Sequence, residues 1–150
     1  MLREERQSGS GLADLINECI REGKIVPAEI TVGLLKTAME KSGSTKFLVD
    51  GFPRDMDNLR CWESIMVEAR VQFLLFLDCT EEVMKERLLE RGKTSGRADD
   101  NLDSIIKRFK TYEELTRPII NHFDSLGLVR RVDSTNDPET VFADVSKLFQ

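Results

Sequence analysis

The chain has 150 residues, the length of one domain, with 40% hydrophobic and 33% charged residues and a formal net charge of −5. No apolar run approaches the roughly 18 residues of a membrane-spanning helix, and residues 1–15 carry no apolar signal-peptide core, so a cytosolic protein with access to the nucleus is predicted. The acidic balance disfavours broad binding to a nucleic acid backbone, but it leaves room for a small phosphate site built from a few arginines. Three widely spaced cysteines (Cys19, Cys61, Cys79) form no CxxC pair, and the single His122 cannot build a metal cluster.

The apolar residues at 12, 15, 16, 19 and 20 have helical spacing, closed by Gly23. A second helix follows, with Pro27 in its first turn, a stripe of Ile30, Leu34, Leu35 and Ala38, and Gly43 at its end. KFLVDG (46–51) is an apolar run bounded by Gly and Pro and predicts a buried strand. DNLRCWESIMVEA (57–69) predicts a helix. VQFLLFLD (71–78) lacks alternation and predicts a strand covered on both faces. TEEVMKERLLERG (80–92) predicts a helix capped by Thr80. Over 99–127 the apolar residues keep helical spacing, and Pro118 should kink or split that helix. LVRRVDS (128–134) predicts a short exposed strand, and a closing helix begins near Pro138. Strands alternating with helices predict an α/β fold, a parallel sheet covered by helices on both faces.

Six arginines stand at informative places: Arg3, Arg54, Arg87, Arg91, Arg97 and Arg108. A guanidinium offers a planar fork of donors that matches phosphate oxygens. Any one alone reads as solvated surface charge. As a group they are less ordinary. Arg54 follows a strand end, Arg87 and Arg91 share a helix face, and Arg97 lies in the Gly-bounded loop RGKTSGRADD. Converging arginines suit a polyphosphate, and one on a closing loop suits a reaction that must exclude water. Asp50, ending FLVD, is either a water-mediated Mg²⁺ partner or a loop-capping aspartate.

The segments IREGKIVPAEIT (20–31), FLVDGFPRDMDNL (47–59), FLDCTEEVMKERLLERGKTSGRADDN (76–101) and KRFKTYEELTRPII (107–120), together with LREERQSGS (2–10), resemble the nucleoside monophosphate kinases of UMP-CMP kinase type. The likeness runs in register over essentially the whole chain, and DGFPR together with SGRADDN is highly specific. It implies a P-loop NTPase-like single domain over 1–150, with acceptor-binding helices over about 12–41 and a short lid over about 92–100. It implies transfer of the ATP γ-phosphoryl group to CMP or UMP, with dCMP as a further acceptor, in a monomeric enzyme that needs Mg²⁺ and binds neither nucleic acid nor membrane. Residue by residue, it assigns the acceptor phosphate to Arg3 and Arg54 beside Gly51. The pyrimidine base falls to Asn58, with Lys24, Ile25 and Val26 lining base and sugar. Arg87 falls by the donor adenine and Arg91 by its phosphates. Arg97 and Arg108 clamp the transferring phosphoryl group and the acceptor nucleotide, Asp99 and Asp100 anchor the loop, and Asp50 organises Mg²⁺ through water. From the residues alone, Asn58 reads equally as a turn or helix-cap residue. An adenylate kinase is the alternative in the same class; Asn58 and EGKIVP argue against it.

One departure from the family is large. A P-loop kinase opens on strand, GxxxxGK[ST], helix, and no such motif occurs in this sequence. The resemblance therefore predicts a chain that lacks the family's first, central strand, its P-loop and its second strand, with doubtful activity on its own. A nucleotide-binding or regulatory chain without turnover is the corresponding alternative. Each buried backbone group left without a partner costs about 1–3 kcal/mol, against a domain stability of about 5–15 kcal/mol.

Overall fold

The computed structural model describes residues 2, 5, 11–97 and 99–150; Arg3 lies outside the described residues. Helix α1 (Ala13–Glu22) buries Ile16 and Cys19 and ends at Gly23, whose left-handed φ of 64° turns the chain so that the Lys24 N–H reaches the Cys19 carbonyl. Helix α2 (Ala28–Ser42) starts directly after Pro27, which lacks the N–H that a helix start would leave unpaired. Helix α3 (Met56–Ile65) is capped by Asp55, whose carboxylate accepts from the Asn58 N–H at 2.7 Å. It is shorter than the sequence predicts: Met66 ends it, its N–H bonded to the Trp62 carbonyl.

Strand β1 (Leu74–Asp78) leads to helix α4 (Glu81–Ser95), with Thr80 as the predicted cap accepting from the Val83 N–H. Glu81 and Glu82 complement the positive end of the α4 dipole. Helix α5 (Leu102–Thr111), a π-helical turn (Tyr112–Thr116) and helix α6 (Arg117–Ser125) follow. The sequence predicts a kink at Pro118. The structure widens the turn before it, with the Arg117 N–H reaching back to the Tyr112 carbonyl. Proline supplies no N–H for the next α-helical bond, and its ring crowds the carbonyl four residues back, so a wider turn relieves both. Strand β2 (Val129–Asp133), helix α7 (Pro138–Ser146) and a 3₁₀ turn (Lys147–Phe149) close the chain.

β1 and β2 pair in parallel, Leu74 opposite Val129 and Asp78 opposite Asp133. The fold is thus a small α/β domain in which helices flank a parallel sheet. Much of the core among the described residues falls into three clusters. Ile16, Cys19 and Val26 form one, and Val32, Leu35 and Trp62 the second. Leu59, Ile119 and Phe123 form the third, packed against Leu74 and Val129 of the sheet. Burying each of Ile16, Val32, Ile105 and Ile119, all under 2% exposed, contributes about 1.5–3 kcal/mol.

Two strand expectations need correction. Residues 46–51 form no strand: among the described residues the sheet has two strands, and Leu48 is 85% exposed. A strand exists only where its N–H and C=O groups meet a neighbour's, and none of the described strands lies beside 46–50. β1 is also not covered on both faces: Leu77 is 48% exposed, and among the described residues β2 is the one strand paired with it.

Candidate functional site

The base of the loop at 92–99 is a charge cluster organised by one carboxylate. Asp100, its side chain 0% exposed, accepts a two-pronged bond from Arg91, Nε and Nη2 each at 2.7 Å. The Ser95 hydroxyl donates to the same carboxylate at 3.3 Å. Arg108, from α5, places Nη1 3.4 Å from Asp100 Oδ1 and 3.3 Å from Asp99 Oδ2. The Arg91 guanidinium holds the Asp100 carboxyl below its ordinary range, against the opposing pull of burial. Paired charges make this burial tolerable. Helix α4 supplies Arg91, the Asn101 cap starts α5, and α5 supplies Arg108 one helical stretch later.

Gly92 permits the approach. A Cβ there would stand 2.5 Å from the Asp100 carbonyl oxygen, closer than any side chain tolerates. Of its five N–H donors, Arg91 commits two to Asp100. The remainder, with Nε and Nη2 of Arg108, can serve a bound anion. Arg97, exposed in the loop above, forms no ion pair among the described residues.

The turn at 51–58 is a second locus. Arg54 donates Nε–H to the Gly51 carbonyl at 2.6 Å, and its own carbonyl accepts the Thr116 hydroxyl at 2.6 Å. Asn58 is 2% exposed. Its Oδ1 accepts the Arg54 N–H at 3.3 Å, while its Nδ2, buried, has no hydrogen-bond partner among the described residues. Asn58 therefore supports the turn through one end of its amide and holds an unspent donor at the other. Asp50 is exposed one residue before this turn.

The remaining predicted residues scatter. Arg87 donates to the carbonyls of Ser134, Thr135 and Asn136 at 2.6, 2.7 and 3.0 Å, strapping α4 to the loop after β2. It borders a cleft of about 430 Å³ with Pro138, Val141 and Phe142. Lys24 is exposed and Ile25 half-buried, but Val26 points into the first core cluster. Its side chain is thus spent on packing. Of the six arginines, the structure joins Arg91 and Arg108 through the Asp100 carboxylate they share; Arg54 and Arg87 donate to backbone carbonyls elsewhere. The expected convergence of all six includes Arg3, which lies outside the described residues. Sequence reasoning missed Ser95, Gly92, Thr111 and Thr116. Gly92, Thr111 and Thr116 meet backbone atoms, Ser95 meets the Asp100 carboxylate five residues on, and no spacing rule reports such contacts.

Comparison with known proteins adds the relation. A family model described as adenylate kinase matches residues 1–128. The UMP-CMP kinase of Rattus norvegicus is 47% identical over 156 aligned positions, covering 99% of this chain and 80% of that protein. The Homo sapiens UMP-CMP kinase is 46% identical with the same coverage. The uridylate kinase of Saccharomyces cerevisiae is 49% identical over 145 positions, covering 95% of this chain and 70% of that protein. With DGFPR and SGRADDN in register, the chain belongs to the nucleoside monophosphate kinase family, among the UMP-CMP kinases.

Proposed function

We propose that this chain serves transfer of the γ-phosphoryl group of ATP to CMP or UMP. The observation that carries the reading is the pair Arg91 and Arg108 held on the buried Asp100, at the root of the loop bearing Arg97. Phosphoryl transfer asks little covalent chemistry of a protein. It asks for alignment, charge compensation and exclusion of water. An acceptor phosphate oxygen attacks the γ-phosphorus as the bond to the β,γ-bridging oxygen breaks, and ADP leaves. Arg97 and Arg108 would meet the charge spreading over the transferring group, with Arg91 on the donor phosphates. Arg87 would lie beside the donor adenine. Arg54, beside Gly51, would hold the acceptor phosphate together with Arg3. The unspent Asn58 Nδ2–H suits an acceptor atom of a pyrimidine edge. Lys24 and Ile25, with the backbone at Val26, would line base and sugar.

Mg²⁺ would arrive on ATP. Among the described residues no group of three or more His, Cys, Asp or Glu could hold a metal by itself. Mg²⁺ bound by substrate phosphates and water needs only one or two carboxylates, and the exposed Asp50 offers one. The second reading, nucleotide binding without turnover, is favoured by the sequence having no GxxxxGK[ST] loop to cradle the donor phosphates.

The test measures binding and coupled ATP consumption with CMP, UMP and AMP as acceptors. CMP or UMP bound several-fold better than AMP is the expected result. Preference for AMP would overturn the acceptor assignment, and tight CMP binding with no ADP formed would establish the second reading.

A further inference from the structure

Helices α1 and α5 meet at Gly23, and the contact is made at backbone level. The Gly23 carbonyl accepts the Thr111 hydroxyl at 2.9 Å across 88 residues of chain. The same hydroxyl lies 3.0 Å from the Lys107 carbonyl, one turn back on α5. A Cβ at Gly23 would stand 3.0 Å from Lys107 Cβ and 3.3 Å from the Arg108 nitrogen. With φ at 64° as well, the position takes glycine on two counts. Lys107 Nζ reaches Glu22 Oε2 at 3.4 Å on the flank. The Lys24 N–H is already spent on the Cys19 carbonyl, so the strand of chain at 24–26 leaves this seat in a fixed direction.

We infer that Thr111 is a positioning residue: its hydroxyl, with the glycine contact, registers the 24–26 segment against the turn of α5 that carries Arg108. The inference rests on the assignment of 24–26 to the acceptor nucleoside in the proposed function. Arg108 follows Lys107 directly and reaches the Asp99 and Asp100 carboxylates. The seat therefore ties the acceptor's base end to one of the arginines assigned to its phosphoryl end through two adjacent residues. A rigid link suits a reaction in which misplacement by about 1 Å costs on the order of a hundredfold. The Lys107–Glu22 ion pair on the flank is exposed and fixes no direction as a hydrogen bond to a carbonyl does.

The experiment uses the full 150-residue chain and two variants, Thr111→Val, which keeps the shape and removes the hydroxyl, and Thr111→Ser, which restores it. Two readouts are taken: amide hydrogen exchange over 23–26 and over a distant control, β2, without nucleotide, and calorimetric affinity for CMP and for ATP. Thr111→Val should speed exchange at 24–26 and weaken CMP about fivefold, leaving β2 and ATP affinity unchanged; Thr111→Ser should recover both. Equal exchange at 24–26 in parent and Thr111→Val would overturn the seat. Faster exchange with unchanged CMP affinity, or parallel losses for CMP and ATP, would overturn the positioning role. A parent chain that binds no CMP would instead refute the acceptor assignment and with it this role, while the exchange arm still reports on the seat.

Discussion

The loop base at 91–108 and the segment 46–51, which leads into the turn bearing Arg54, both adjoin candidate phosphate ligands, and they are built in opposite ways. At the loop base, one fully buried carboxylate, Asp100, takes the guanidiniums of Arg91 and Arg108 and the Ser95 hydroxyl, all from the stretch 91–108. At 46–51 an apolar segment that reads as a strand stays irregular, with Leu48 85% exposed and Val49 alone dipping into the second core cluster. Charge-assisted bonds between near neighbours need only a helix end and a helix start. A strand needs a partner brought from elsewhere, and its loop closure costs entropy before any ladder bond forms. A site can therefore have one half assembled while the other waits on the sheet.

The largest effect should come from supplying a partner strand. We expect that a chimera placing a strand–GxxxxGK[ST]–helix–strand segment from a P-loop kinase ahead of these residues turns over CMP at least about a hundredfold faster than the 150 residues alone. It should also protect the amides of 46–50 from exchange. Equal turnover by the two proteins would mean that the donor site is built some other way, and that the contrast between the two regions has no functional weight.

The loop base can be broken at its closest approach. Gly92→Ala should destabilise the fold by about 1–3 kcal/mol, because the new methyl must displace the Asp100 backbone. Gly33→Ala, in the interior of α2 with open space at its Cβ position, should instead be neutral or stabilise by about 0.5–1 kcal/mol. Urea denaturation of the two variants beside the parent checks this. A Gly92→Ala midpoint at or above the parent's would show that the approach of Gly92 to Asp100 is not tight in solution.

The smallest effect sharpens the electrostatic half. Asp100 has its carboxyl lowered by the Arg91 hydrogen bonds from an ordinary value of 3.8. A depressed folded-state value stabilises above the unfolded one, and the contribution is lost as pH falls through the folded value. The parent should therefore keep this contribution down to about pH 4 and lose it below. Asp100→Asn, which cannot titrate, should start less stable and fall less steeply over that window. Thermal melts from pH 6 to pH 2.5 read the difference; parallel curves would assign the acid sensitivity to other carboxylates.

Local signals were legible in the sequence. Thr80 as a cap, Gly23 and Gly43 as helix ends and Pro138 at a helix start all follow from neighbouring residues, and each forms as read; of the apolar stripe of α1, Ile16 and Cys19 are buried while Leu12 and Leu15 stay exposed. The resemblance carried by DGFPR and SGRADDN marked where the candidate ligands lie. What each side chain does with its donors was settled by contacts across the fold. Arg87 turns to three carbonyls 47 to 49 residues away, Val26 goes to the core, and Thr111 finds Gly23. The run at 46–51 shows the limit most clearly. Its apolar composition and its Gly-Pro boundary specify a strand's chemistry, but pairing is a property of two segments, and only the tertiary structure decides whether the second is there.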